Sequence, residues 1–199
     1  EGRVVQLAGI RPSARAVRLA RQLGKDPRLV ELILHESKEI VLVKNGIIIT
    51  ETHHGFVCAN SAVDQSNLSS DAAATAVLLP VDPDSSARRL RAYFKKEKGV
   101  DVAVIITDTF GRPFREGQVN VAVGVSGIRP IKSYIGQKDM FGKKLRVTEI
   151  AVADELASAA ELVMGKSDGV PVAIVRGYRY DRADRATSKP LIRKKEQDL

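Results

Sequence analysis

Asn45-Gly46 lies between two β-rich runs, Ile40-Val41-Leu42-Val43-Lys44 and Ile47-Ile48-Ile49-Thr50. Asn and Gly both tolerate the positive φ that a two-residue hairpin turn needs, so this pair commits the stretch to an antiparallel hairpin. Helical signals precede it. Pro12-Ser13 leads into Ala16, Val17, Ala20 and Leu23, with Arg15, Arg18 and Arg21 between them and Gly24 as the stop. Asp26-Pro27 pairs an N-cap with a proline at the first helical position. Leu29, Ile33 and Leu34 give that second helix its apolar face, widened by Leu32, and His35 reads as solvated.

After the hairpin comes a polar stretch from Thr52 to Asn67. His53-His54 is not a metal pair by spacing, because neighbours on a strand point to opposite faces. Asp64 and Asn67 either face one ligand from a turn or each close an Asx-turn. Cys58 reads as a small buried hydrophobe. Residues 76–80 predict a short strand. Asp82-Pro83 starts a helix with Ala87, Leu90 and Phe94 on one face, and Lys95, Lys96 and Lys98 before a stop at Gly99.

Val102-Ala103-Val104-Ile105-Ile106 is a continuous apolar run and predicts a strand buried on both faces. It leads into Thr107-Asp108-Thr109-Phe110-Gly111-Arg112-Pro113-Phe114-Arg115-Glu116-Gly117, with the strand ending at the polar residues and a turn at Gly111 and Pro113. Asp108 and Thr109 offer hard oxygen donors of the kind Mg²⁺ or Mn²⁺ takes. Arg112 and Arg115 are forked donors suited to phosphate or carboxylate. Gln118 to Val125 predicts a strand broken by Gly124. Val152, Leu156, Ala159 and Val163 fall at helical spacing, and residues 172–175 predict another strand. Between these last two lies Gly165-Lys166-Ser167, which resembles the tail of a P-loop. The first glycine of that motif would fall at Ala160 inside a helix, and the motif needs strand before and helix after. A P-loop is therefore rejected, although a glycine-containing turn still offers N–H groups to a phosphate or a guanine ring.

The 199 residues are 44% apolar and 28% charged, enough for one real core and a single domain over 1–193, with 194–199 a polar tail or linker. A net charge of +8 favours anionic partners. Aromatics are 5% and tryptophan is absent, so base-stacking platforms are poorly supplied; a basic anion- or nucleic-acid-binding module is the weaker alternative. One cysteine excludes an intrachain disulfide. No run approaches the ~20 apolar residues of a membrane span, and no signal peptide is visible, so a cytoplasmic protein without membrane partners is expected.

Four separated motifs occur in one order: Gly55-Phe56-Val57-Cys58-Ala59-Asn60 with Val63-Asp64 and Ser66-Asn67; Asp108 to Arg115; Arg146-Val147-Thr148 with Ala153-Asp154-Glu155-Leu156; and Met164-Gly165-Lys166. Together they resemble the coenzyme F420-0:L-glutamate ligase, or F420 γ-glutamyl ligase, family over nearly the whole chain. The resemblance implies an α+β (mixed α/β) fold with mixed sheets and packed helices, neither P-loop nor ATP-grasp, and a homodimer. It implies a GTP-dependent amide ligase that adds L-glutamate to the deazaflavin coenzyme F420-0 through an acyl phosphate, releasing GDP and phosphate, with Mg²⁺ or Mn²⁺ and K⁺. A related amide ligase with another acceptor is the alternative.

By motif position, Asp64, Asp108 and Thr109 are the implied metal ligands. Asn67 and the run Met164, Gly165, Lys166, Ser167, Asp168, Gly169, Val170 and Pro171 are the implied GTP contacts. Arg112 and Arg115 are expected to clamp the γ-phosphate or a substrate carboxylate. The chain departs from the family pattern in three respects. The family's N-terminal, GTP-binding segment precedes Glu1, so truncation is expected; the end near Glu196–Leu199 resembles the point where some relatives continue into a nitroreductase-like domain. Ala62 stands where Gly is expected, a cost of roughly 1 kcal/mol if that position needs positive φ. Lys166 replaces a Gln that contacts a further metal in some relatives, and a cationic lysine cannot ligate a metal.

Overall fold

A computed structural model describes residues 3–68 and 74–194. The chain divides into two compact units, Glu1–Val81 with Phe110–Glu116, and Asp82–Thr109 with Gly117–Leu199. Both helices and sheets are present, as the α+β expectation requires. Of the predicted tail, only Lys194 falls within the described residues.

The first unit opens with strand β1 (Val4–Gln6), followed by helices α1 (Ala14–Leu23) and α2 (Pro27–Glu36). Their ends follow from the sequence. Ser13 caps α1 by accepting from Ala16 N, and Gly24 closes it in the left-handed conformation at φ 65°. Asp26 caps α2, with Pro27 behind it. Next come β2 (Ser37–Lys44) and β3 (Ile47–Thr52), joined at Asn45-Gly46 with φ values of 52° and 74°, then β4 (Val57–Ala59) and β5 (Thr75–Val77). β2, β3 and β4 form one antiparallel sheet, and β1 pairs antiparallel with β5. Leu7, Ala16, Ala20, Val30, Ile33, Ile48 and Ala76 are wholly buried or nearly so and make the core of this unit. On α2 the fully inward residues are Val30, Leu32 and Ile33, with Leu29 and Leu34 packed alongside; Val30 adds to the predicted face.

The second unit contains helix α3 (Pro83–Lys98), much of the hairpin β6 (Val104–Arg112) and β7 (Arg115–Ser126), the short pair β8 (Lys132–Ser133) and β9 (Glu149–Ile150), and helix α4 (Val152–Met164). Ala122, Val125, Ile128, Ala153 and Ala186 centre its core. β6 corrects the sequence reading. It continues through the polar residues to Arg112, and it is half-buried where burial on both faces was predicted; among the described residues it pairs in a two-stranded sheet with β7. The turn is Pro113-Phe114. Gly124 does not break β7; it lies within the strand, where a Cβ would collide with the Pro83 carbonyl.

Both helices of this unit bury faces rotated from those predicted, keeping Ala87 on α3 and Val152 and Leu156 on α4. α3 turns Pro83, Asp84, Ser86 and Ala87 inward and leaves Leu90 exposed. α4 buries Val152, Ala153 and Ala157, whereas Val163 is exposed. The cause is polar in each case. The buried Asp84 carboxylate accepts from Val125 N at 2.8 Å and from Ser188 N at 2.9 Å, while Ser188 Oγ lies 3.3 Å from its other oxygen. On α4, Asp154 accepts from Ala122 N and Ser158 donates to Asn120 O, both at 2.9 Å, so that face lies along β7. The predicted strand at 172–175 does not form among the described residues; Val172 and Ile174 lie in exposed chain. A β-rich run sets an extended tendency, but a strand also needs an edge to pair with.

Replacing Asp84 by Ala strands buried N–H donors on β7 and at Ser188, and is expected to cost about 3 kcal/mol of stability. Denaturant unfolding of the purified variant measures it; a loss well under 1 kcal/mol would contradict this role.

Candidate functional site

The predicted residues divide between the two units. In the first, Asp64 follows a turn of three consecutive non-glycine residues with positive φ: Asn60 at 54°, Ser61 at 53° and Ala62 at 56°. Each L-residue held there costs about 1–2 kcal/mol. Burial holds the turn in place: the Ser61 hydroxyl lies 2.7 Å from Thr50 Oγ1 and donates to Ile33 O at 3.0 Å. Beyond the turn, the main chain of Asp64 pairs with Val77 in both directions, Asp64 N to Val77 O and Val77 N to Asp64 O. Its carboxylate forms the Asx-turn, accepting from Ser66 N at 2.9 Å and from Ser66 Oγ at 2.5 Å. Asp64 and Asn67 are exposed, and Asn67 also has positive φ, at 53°. Ala62 thus occupies the conformation for which glycine was expected.

Also in this unit, Phe110 packs edge-on against Phe56, with ring centroids 6.0 Å apart, and Phe56 stacks on His54. The ring Nε2 atoms of His53 and His54 donate to the carbonyls of His35 and Pro80, so both histidines serve main-chain oxygens. The Arg112 guanidinium donates to Glu116 O across the turn. Between the two arginines, Phe114 is fully exposed at φ 56°. Proline at the first central turn position with positive φ at the second is the type II pattern, which normally takes glycine at the second.

In the second unit, Asp108 and Thr109 are consecutive on β6, so their side chains leave opposite faces of the strand. Asp108 Oδ1 accepts from Thr109 N at 2.8 Å. Thr109 Oγ1 donates to Asn120 Oδ1 at 2.7 Å, and Lys166 Nζ donates to both of these oxygens, at 3.3 Å in the case of Asn120. Glu161 Oε1 stands 3.9 Å from the same ammonium. Lys166 reaches this cluster because α4 ends at Met164 and Gly165 takes φ 60° with the Asp168 carboxylate over its Cα. Ser167, Asp168, Gly169, Val170 and Pro171 follow as exposed chain. Sequence reasoning missed Asn120, which is 4% exposed. The available signal was a lone amide in an otherwise alternating Val119–Val125 strand.

Asp154, beside Asn120's strand, has its carboxyl raised from the ordinary range by burial, which the Ala122 N–H partly offsets. Among the described residues, no group of three or more His, Cys, Asp and Glu side chains is gathered as a metal cluster, and no helix is long and apolar enough to cross a membrane.

Residues 1–177 match the family model described as F420-0:Gamma-glutamyl ligase. A coenzyme F420:L-glutamate ligase of Methanothermobacter thermautotrophicus is 50% identical over 202 residues, spanning 100% of this chain and 79% of that protein. The protein of the same name from Methanocaldococcus jannaschii is 49% identical over 200 residues, spanning 100% of this chain and 78% of its own. That of Methanopyrus kandleri is 51% identical over 180 residues, 90% of this chain and 70% of its own.

Two outcomes follow from this geometry. Ala62→Gly relieves the positive-φ cost and is expected to stabilise the chain by about 0.5–1 kcal/mol, net of glycine's greater unfolded freedom; a lowered denaturation midpoint would contradict it. Asp154 holds its proton to higher pH when folded than when unfolded, so its contribution is most favourable at low pH and declines as pH rises from 3.8 through the raised folded value. Melting temperatures of the parent should therefore gain on those of Asp154→Asn as pH falls from 7 towards 4, and parallel profiles would refute the shift.

Proposed function

Because this chain belongs to the F420-0:gamma-glutamyl ligase family, we propose that it joins L-glutamate to coenzyme F420-0 in an amide bond at the expense of GTP. The observation that carries this reading is half-identity, over the full length of the chain, to proteins named for that ligation. GTP, the cations Mg²⁺ or Mn²⁺ and K⁺, and a homodimeric assembly come with it, through the motifs' resemblance. In the proposed course, an acceptor carboxylate oxygen attacks the γ-phosphorus and GDP leaves. The glutamate amine then attacks the acyl carbon, phosphate leaves, and the nitrogen gives up a proton.

Asp64, in the first unit, and Asp108, in the second, each have the chemistry of a ligand for a hard divalent ion. Each is a carboxylate with one oxygen fixed by a main-chain N–H, that of Ser66 and Thr109 respectively, which orients the group. Such an ion, when bound, neutralises phosphate charge. Arg112 and Arg115 flank the Pro113-Phe114 turn and offer forked donors to a phosphate or carboxylate. Asn67 and the run from Met164 to Pro171 are the proposed nucleotide contacts. The net charge of +8 favours polyanionic substrates.

The test is to supply F420-0, L-glutamate, GTP and Mn²⁺, and to follow GDP release together with the glutamyl adduct by mass spectrometry. GDP and adduct are expected in equal amounts, and Asp108→Asn should lower turnover about a hundredfold or more. No adduct, or an unchanged Asp108→Asn enzyme, would overturn the assignment.

A further inference from the structure

We propose that the Lys166 ammonium is the resident cation of the Thr109 site and excludes a metal ion from that hydroxyl. The inference rests on the divalent-ion reading above and corrects one of its implied ligands. Oxygens from three elements lie near Lys166 Nζ, among them Thr109 Oγ1 on β6, Asn120 Oδ1 on β7 and Glu161 Oε1 on α4. The first two are neutral acceptors and the third carries charge, a combination that suits a single positive charge.

The hydroxyl's bonding is already assigned. A threonine hydroxyl has one proton to donate and two lone pairs. Thr109 spends the proton on Asn120 and one lone pair on Lys166. A divalent ion on the remaining lone pair would sit at about 2.0–2.1 Å from the oxygen. That brings it against the ammonium, with like charges in close contact. Asn120 reinforces the arrangement, because its side-chain oxygen, on a residue that is 4% exposed, needs donors and receives two. Asp108 keeps its place as a candidate ligand, since its side chain leaves the opposite face of β6.

A neutral side chain carrying an oxygen at 166 would reverse the outcome. Lys166→Gln removes the charge and supplies a carbonyl ligand. The side chain is 56% exposed, so the change does not disturb a core. Mn²⁺ uptake is measured from the loss of the free-ion electron paramagnetic resonance signal, with and without GTP, on the full chain. Lys166→Gln is expected to bind one more Mn²⁺ per chain than the parent. The double variant Thr109→Val, Lys166→Gln is expected to return to the parent number. Equal uptake by parent and Lys166→Gln overturns the proposal, as does an added ion that survives Thr109→Val. Failure of the broader reading is distinguishable, because it appears in the parent alone as no Mn²⁺ uptake with GTP, whereas the present inference is read from the difference between the two proteins.

Discussion

The second unit is organised around one buried carboxylate. Asp84 lies in the first turn of α3, where the helix N-terminus favours negative charge, and its oxygens take N–H groups from β7 and from Ser188. The core that this acid ties together is built largely from alanine, around Val125 and Ile128, with little aromatic bulk. Small residues bury little area each, so directional bonds must fix how the segments meet. Asp154 and Ser158 do the same for α4, binding main-chain groups of β7 two residues apart. Gly124 belongs to the same arrangement, since it lets the strand approach Pro83.

The first unit is held by packing around a strained connection. Its core is larger and more branched, with Leu7, Val30, Ile33 and Ile48 fully buried. That core over-determines the turn at Asn60-Ser61-Ala62, whose positive φ values would not persist in isolation. The turn fixes the direction in which the chain reaches Asp64. Positive φ at a non-glycine residue recurs at Phe114, between Arg112 and Arg115.

Where a few adjacent residues decide the outcome, the sequence was readable. Ser13, Asp26-Pro27, Asn45-Gly46 and Gly99 act through their own φ and their own hydrogen bonds, and each delivers the predicted start, turn or stop. Where the deciding partner is distant, it was not. The inward face of α3 is chosen by an acid whose partners lie 41 and 104 residues away, so apolar spacing pointed to Leu90 instead. The run at 172–175 has β-branched residues but no described strand beside it. The candidate site divides the same way. Motifs named Asp64, Asp108, Thr109 and Lys166, but Asn120, which links two of them, lies outside every motif and shows only as a lone amide in the Val119–Val125 alternation. That a lysine at 166 cannot ligate a metal was visible as a matter of charge; that its ammonium lies against Thr109 and Asn120 was not.

The span of the Asp84 bond also has a consequence in time. During synthesis the Asn45-Gly46 hairpin can close as soon as its second strand emerges, since two-residue loops form in microseconds. Asp84 must wait until Ser188, 104 residues later, has left the ribosome. Closing a loop of that length carries an entropy that only the finished contacts offset. Throughout that interval α3 carries an acid facing an unfinished interior. The Asp84–Ser188 contact is therefore among the last that the growing chain can complete.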